Sequence, residues 1–286
     1  MKLVLKDSNC YINKRLTADE RDIPCLDVAW HYHSQFELLY VTKSTGGIRF
    51  VGDSVAPFYP GELVLVGGYL PHLWRNDPEY YKDNNELRVK TIVIKFLKNF
   101  IGEDTFKNSA FSEINDLLDI SKFGVSFGRS VSKKLHNELM EIPHLSPGEQ
   151  SIKLLDVLYR LAKVEDKTLL STSDMRQYTL DKPDRLDNVI RYISDNYARE
   201  ISLTEISDIA CMTTNSFCRF FKKMTNKSFT EFLNEVRIRN ASRLLVQENL
   251  PISEICYAVG YKSIPNFNKQ FKLIINCTPK EYRYSL

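Results

Sequence analysis

The chain has 286 residues, 43% of them hydrophobic and 26% charged, enough for two ordinary domains each with its own core. The net charge of +3 is uneven: from Asp184 onward 15 Lys/Arg face 11 Asp/Glu, a balance of +4, while the 183 residues before it stand at −1. The opening MKLVLKDSNCYI places Lys and Asp where a secretory signal needs an apolar core, and no apolar stretch reaches the length of a membrane span, so a cytoplasmic protein without a membrane partner is expected. Cys10, Cys25, Cys211, Cys218, Cys256 and Cys277 include no CxxC pair, which argues against zinc clusters and a disulfide framework. Cys211, Cys218 and Cys256 fall in helical apolar patterns and are expected as buried free thiols.

Up to about Phe100 the sequence reads as strands. FELLYV (36–41), GIRFV (47–51), ELVLV (62–66) and LRVKTIVIKF (87–96) are short, rich in β-branched and aromatic residues, and separated by turns such as Gly46-Gly47 and Pro60-Gly61. This spacing predicts a sandwich or small barrel. From Asp104 the period becomes helical, with Phe106, Ile114, Leu117 and Leu118 on one stripe, followed by a short strand in FGVSFG (123–128). Two further helices are predicted, Val131 to Met140 and Ile152 to Leu161. In the second, Ile152, Leu155, Leu158, Tyr159 and Ala162 share a face. This pair serves either dimerisation or cover for the barrel. Residues 166–184 are polar, without a sustained period, and read as a linker.

Two segments of the strand region carry metal-ligand residue types. WHYHSQFELLYV (30–41) presents His31, His33 and Glu37 as H-x-H-x3-E, and LPHLWRN supplies His72 and Asn76. Strand alternation puts His31 and His33 on one face. These segments resemble the paired motifs of cupins. The resemblance implies a β-barrel in residues 1–165; in metal-bearing cupins matching His and Glu residues hold a divalent metal. Here Gly68-Tyr69-Leu70-Pro71 stands where that family has P-x-G directly ahead of the histidine. No metal and no cofactor are therefore expected. Trp30, His31, His33, Glu37, Arg49, His72 and Trp74 are read as the lining for a small polar effector such as a sugar.

The last hundred residues contain an internal repeat at a shift of 50. Thr213 matches Ser263, Phe217 matches Phe267, and Phe221 matches Phe271. Lys222 and Lys272, Asn226 and Asn276, Ser228 and Thr278, and Phe232 and Tyr282 continue the series. Upstream, LTEIS (203–207) resembles ISEIC (252–256) at a shift of 49, and the one-residue offset is expected at a looser corner at Gly260. Each unit reads as helix, turn, helix. Ser202 and Glu205 form a capping box, Thr213 and Ser263 cap the second helices, and Pro265 fits a first turn. A long amphipathic helix from Thr230 to Gln247 joins the units, with Phe232, Leu233, Val236, Leu244 and Leu245 apolar.

The run FFKKMTNKSFTEFLNEVRIRNASRLL, then ISEICYAVGYKSIPNFNKQFK and TPKEYR, resembles the AraC/XylS family of transcription regulators across residues 185–286. The resemblance implies a multidomain α and β protein, not an enzyme: a cupin-like sensing barrel followed by two helix-turn-helix units on a connecting helix. The family usually has Gly where this chain has Asn226 and Asn276; both positions are expected to be left-handed, and Asn is the best substitute there. With Phe217, Phe220, Phe221, Phe267 and Phe271 turned inward, the second helix of each unit would enter the major groove of double-stranded DNA. Unit one would offer Thr214, Asn215, Ser216, Arg219, Lys222 and Lys223. Unit two would offer Pro265, Asn266, Asn268, Lys269 and Lys272. Arg219 suits guanine and Asn215 or Asn268 adenine, while the lysines suit phosphates. A homodimer and contact with RNA polymerase are the further partners expected. Two other readings stay open: a metal-dependent cupin enzyme targeted by its helix-turn-helix module, and a regulator whose barrel is only a dimerisation platform.

Overall fold

The computed structural model describes residues 15–26, 30–82, 86–175, 183–247 and 250–284; Cys10 lies outside them, as does most of the second half of the expected linker. The chain forms two compact units, one holding most of residues 15–175 and the other residues 183–284. No helix among the described residues is long and apolar enough to cross a membrane.

The N-terminal unit is rich in sheet. In chain order it contains β1 (Leu16–Ile23), β2 (Phe36–Lys43), β3 (Gly47–Val51), β4 (Ser54–Phe58), β5 (Leu63–Val66), β6 (His72–Asn76), β7 (Val89–Phe96), α1 (Ser112–Ile120), β8 (Val125–Phe127), α2 (Arg129–Lys134), α3 (His136–Glu141), α4 (Pro147–Ala162) and β9 (Lys167–Leu169). The strands make a six-stranded sheet, β1-β7-β2-β5-β8-β9, and a three-stranded sheet, β4-β3-β6. Alternation divides the large sheet between two cores. Leu38, Tyr40, Ile92 and Ile94 pack with Leu117, Leu154 and Leu158 of the helices. Leu39, Val41, Val64 and Val93 pack instead with Val51, Phe58 and Trp74 of the second sheet. The four strands read from apolar runs are all present.

Four strands were not expected from the sequence. In β1, charged Asp19, Glu20, Arg21 and Asp22 mask the pattern because the strand lies at the sheet edge. In β6, His72 and Asn76 are inward and polar, so the run lacks an apolar signal. Asn76 serves the turns around it: its Oδ1 accepts from Leu26 N at 2.7 Å, and its Nδ2 donates to Gly46 O at 3.1 Å. In β4, Pro57 interrupts a strand of five residues. Lys167–Leu169, assigned to the linker, forms β9 against β8.

The order continues past β9. Asp53, buried in the β3–β4 turn, accepts from Ser171 Oγ at 2.9 Å and Thr172 N at 2.8 Å, and Met175 is buried in the core between the sheets. The expected Val131–Met140 helix is broken at Leu135 into α2 and α3. In α4 the buried face is Leu154, Val157, Leu158 and Leu161, whereas Ile152 is 73% exposed and Tyr159 39%. The expected face was therefore displaced by about one residue, because Leu155 and Ala162 lie at the margin of the true stripe.

The C-terminal unit is helical: α5 (Pro183–Asn196), α6 (Leu203–Ile209), α7 (Thr214–Thr225), α8 (Phe229–Gln247), α9 (Ile252–Ala258), α10 (Ile264–Ile275) and α11 (Pro279–Tyr284). The helix α8 is less amphipathic than its sequence suggests. It buries Phe229, Phe232, Leu233 and Val236 along its first half and Ile238, Asn240, Ala241, Ser242 and Leu245 along its second. Phe232 packs on Phe221 of α7, while Ile238, Ala241 and Leu245 share a core with α9 and α10.

Candidate functional site

The seven residues expected to line an effector site are all buried. They fall into two groups. In the first, His31 and His72 face each other across an antiparallel bridge, with His72 N donating to His31 O at 2.9 Å and His31 N to His72 O at 3.2 Å. Their rings lie 4.3 Å apart, and those of His33 and His72 lie 5.1 Å apart. Glu37, from β2, completes the group, and one ligating atom from each of the four lies within 4.8 Å of the others. Lys95 Nζ stands 3.1 Å from Glu37 Oε2. Burial lowers the imidazoles of His31 and His33 below their ordinary value. Burial also works to raise the Glu37 carboxyl, but Lys95, then His33 and His72, together outweigh it and hold it well below the usual range.

In the second group, Arg49 is opposite Trp74 in the β3–β6 register. Both reach Glu62, Arg49 Nη1 at 3.0 Å from one oxygen and Trp74 Nε1 donating to the other at 2.9 Å. Trp30 packs edge-on against Phe50, with centroids 6.4 Å apart. Sequence reasoning missed Glu62 and Lys95. The signal was present: each places a charge at an inward step of an otherwise apolar strand, in ELVLV and TIVIKF.

The two repeated units match in detail. Thr213 Oγ1 accepts from Ser216 N at 3.4 Å and Ser263 Oγ from Asn266 N at 3.5 Å, so the same position caps α7 and α10. Both helices stop at a left-handed asparagine, Asn226 with φ 57° and Asn276 with φ 66°. A capping box follows each stop: Ser228 N donates to Glu231 Oε2 and Thr278 N to Glu281 Oε2, both at 2.7 Å. The edge-on ring pair Phe221–Phe232, at 5.3 Å, is repeated by Phe271–Tyr282 at 5.8 Å. The Ser202–Glu205 box opens α6 as expected.

The offset between units does not arise from a looser corner. Cys211 (φ 51°) and Gly260 (φ 87°) are both left-handed and stand 49 residues apart, as do Met212 and Tyr261, whose amides bond to Ser207 O and Cys256 O. The extra residue is Lys262, between Tyr261 and the Ser263 cap. Gly260 is required by close approach, since a Cβ there would lie 2.7 Å from Tyr197 O. Of the three thiols expected in helical cores, only Cys256 is buried; Cys211 and Cys218 are exposed, because one sits in the turn and the other on the outer face of α7.

Residues 206–285 match the family described as "Helix-turn-helix domain". Over 88% of this chain and 85% of the relative, the sequence is 23% identical to YdeC of Bacillus subtilis, described as an uncharacterized HTH-type transcriptional regulator. It is 22% identical, over 88% of this chain and 86% of the relative, to the HTH-type transcriptional activator RhaR of Mannheimia succiniciproducens. The C-terminal unit is an AraC-type helix-turn-helix domain. Among solved structures, a transcriptional regulator from Chromobacterium violaceum with an AraC-type DNA-binding domain is 25% identical over 35% of this chain and 90% of its own, with a TM-score of 0.34.

Within this AraC-type domain, Asn215, Arg219, Lys222 and Lys223 are exposed on α7, with Thr214 and Ser216 half-buried at its start. Pro265, Asn266, Asn268, Lys269 and Lys272 are exposed on α10. Phe217, Phe221, Phe267 and Phe271 are fully buried, and Phe220, expected inward, is half-buried. Leu273, the counterpart of Lys223, is 71% exposed, so the outer face of α10 carries an apolar residue where α7 carries a cation.

Proposed function

We propose that the chain is a sequence-specific transcription regulator whose AraC-type domain reads double-stranded DNA through α7 and α10. The carrying observation is the two-fold repetition of cap, recognition helix, left-handed stop and capping box on either side of one buried helix. It presents two comparable helices, each with amide and cationic side chains on its outer face, on a common support. Such helices suit successive major grooves about one turn apart. Arg219 would specify a base, Asn215 and Asn268 would favour adenine, and Lys222, Lys223, Lys269 and Lys272 would hold phosphates. The relatives named as transcriptional regulators support the same reading.

In this reading the sheet unit, which runs past residue 165 through β9 to Met175, forms a cupin-like sensing domain for a small polar effector such as a sugar. The outer face of α4, with Ile152 and Tyr159, supports a homodimer. The hold of Asp53 on Ser171 and Thr172, together with the burial of Met175, supports a coupling between the sheet core and the chain leading to α5. An effector acts if it binds one arrangement of that core better than another. RNA polymerase is the partner that an activator would engage.

The test is Arg219→Ala measured by fluorescence anisotropy on a site selected from random DNA by the wild-type chain. The expected loss is about 1–3 kcal/mol in specific affinity, with relaxed preference at one base pair. Unchanged affinity and preference would remove Arg219 from the interface; failure of the wild type to select any sequence would remove the function.

A further inference from the structure

The two helix-turn-helix units turn at matched left-handed corners, Cys211 in the first and Gly260 in the second. The first corner is open, and Cys211 is exposed on it. The second is covered. A Cβ at Gly260 would lie 2.7 Å from Tyr197 O and 2.8 Å from Ala198 O, so the loop joining α5 to α6 is seated directly on this corner. Both corners need a left-handed backbone, but only the one that receives the loop needs glycine.

Arg237 grips the same loop. It stands on α8 just ahead of Ile238, the first α8 residue in the core shared with α9 and α10. Its Nε donates to Tyr197 O at 2.8 Å and its Nη2 to Arg199 O at 2.7 Å. Its guanidinium also lies 5.6 Å from the centre of the Tyr261 ring, next in the chain to Gly260. Tyr197 packs against the core of the second unit. The far side of the loop belongs to the first unit, where Arg199 Nη2 lies 2.5 Å from Glu205 Oε1 of α6. Lys262, the residue inserted in the second unit, pairs with Glu200 at 2.6 Å, but both side chains are largely exposed and this pair contributes little. A planar fork holding two carbonyls at once is the stronger grip.

The first unit packs on the early part of α8 through Phe221 and Phe232, and the second packs on the later part through Ile238, Ala241 and Leu245. Packed helices slide past one another by small shear motions. A connection through α8 alone therefore leaves each unit free to roll about it. The loop on the Gly260 corner joins the units without passing through α8 and removes that freedom. We propose that Arg237 and the Gly260 corner clamp the α5–α6 loop and so fix the angle between α7 and α10. Arg237 is then a positioning residue that sets the spacing at which two major-groove faces can be met together. This role rests on the reading of α7 and α10 as the helices that contact DNA.

The test reads the angle before any DNA is added. In the full chain, nitroxide labels are placed on Cys218 and on Asn268→Cys, matched exposed positions of α7 and α10, with Cys10, Cys25, Cys211 and Cys277 replaced by serine. Pulsed electron resonance is expected to give one narrow distance distribution. Arg237→Ala should broaden it while the helical circular dichroism signal is kept. Gly260→Asn is the second variant: asparagine keeps the left-handed backbone but sets a Cβ against Tyr197 O, and the same broadening is expected. On DNA selected by the wild-type chain, one base pair inserted between the half-sites should weaken wild-type binding at least about tenfold. The same insertion should cost Arg237→Ala much less, with affinity for an isolated half-site retained. A narrow distribution in either variant that keeps its fold overturns the proposal. So does loss of the helical signal in both, which would make the loop a support of the fold and not of the angle, and so does an insertion penalty in Arg237→Ala equal to that of the wild type. Failure of the wild-type chain to select any DNA removes the DNA-reading function instead, and the distance measurement still decides whether the clamp exists.

Discussion

Asn226 and Asn276 stand fifty residues apart and hold the same left-handed backbone, φ 57° and 66°, at the ends of α7 and α10. The conformation costs an ordinary residue about 1–2 kcal/mol, and Asn escapes much of that cost. Asn276→Ala should therefore destabilise the C-terminal unit by about 1–2 kcal/mol, while Asn276→Gly should stay within about 0.5 kcal/mol of wild type. Urea unfolding followed by the helical circular dichroism signal measures both. Equal loss in the two variants would place the role of Asn276 in its side chain instead of its backbone.

Lys222 and Lys272 occupy matched outer positions of α7 and α10. If each neutralises one phosphate, Lys222→Ala and Lys272→Ala should each reduce the slope of log affinity against log salt by about 0.9. Neither should change base preference, in contrast to Arg219→Ala. Anisotropy titrations over a range of salt concentrations separate the two behaviours.

Glu205 closes the α6 capping box and is also bound by Arg199 and Tyr192. The Arg199 guanidinium, then the Tyr192 hydroxyl, hold its carboxyl down at about 2 against an ordinary 4.5. A depressed carboxyl contributes stability that is full above the unfolded value and is lost as pH falls toward the folded one. The contribution should therefore fade between about pH 4.5 and 2. Glu205→Gln should be less stable at neutral pH and flatten the acid limb of the stability profile in that window. An unaltered acid limb would remove Glu205 from the acid response.

Asp53 binds the chain just before the segment that leads to α5. Its Oδ1 accepts from the Thr172 amide at 2.8 Å. In Asp53→Ala that amide should exchange its hydrogen at least about tenfold faster, equivalent to about 1.4 kcal/mol of local stability. Amides of β7 should keep their protection. Hydrogen exchange resolved by residue reads both, and unchanged exchange at Thr172 would show that the segment is held instead by Ser171 N donating to Phe123 O and by the burial of Met175.

The C-terminal unit was legible because its signals are local. Phenylalanines at i, i+4, hydroxyl caps and asparagine stops each act within one or two helical turns, and repetition makes them visible. The sheet unit was less legible because its decisive relations are long-range. Nothing near Asn76 in sequence indicates that it satisfies Leu26 and Gly46 across the fold. Nothing near Asp53 indicates Ser171, 118 residues away. For the candidate site, H-x-H-x3-E and His72 named the four residues that meet. The ring orientations remained hidden, because they depend on the Gln35 and Leu70 carbonyls, which lie 2.9 Å from His33 Nδ1 and 2.8 Å from His72 Nδ1. The displaced face of α4 has a similar cause: the helix has apolar residues at both margins, and only the sheet beneath it decides which margin is buried.

Between Asn234 and Leu245 no residue of α8 is exposed, and this has a consequence for genetics. A helix shared in this way by two helix-turn-helix units offers, over that stretch, no neutral side on which substitutions can accumulate. Loss-of-function alleles that touch no DNA should cluster between Phe229 and Leu245, and they should impair both half-sites together. Alleles on α7 or α10 should instead damage one half-site and leave the other readable.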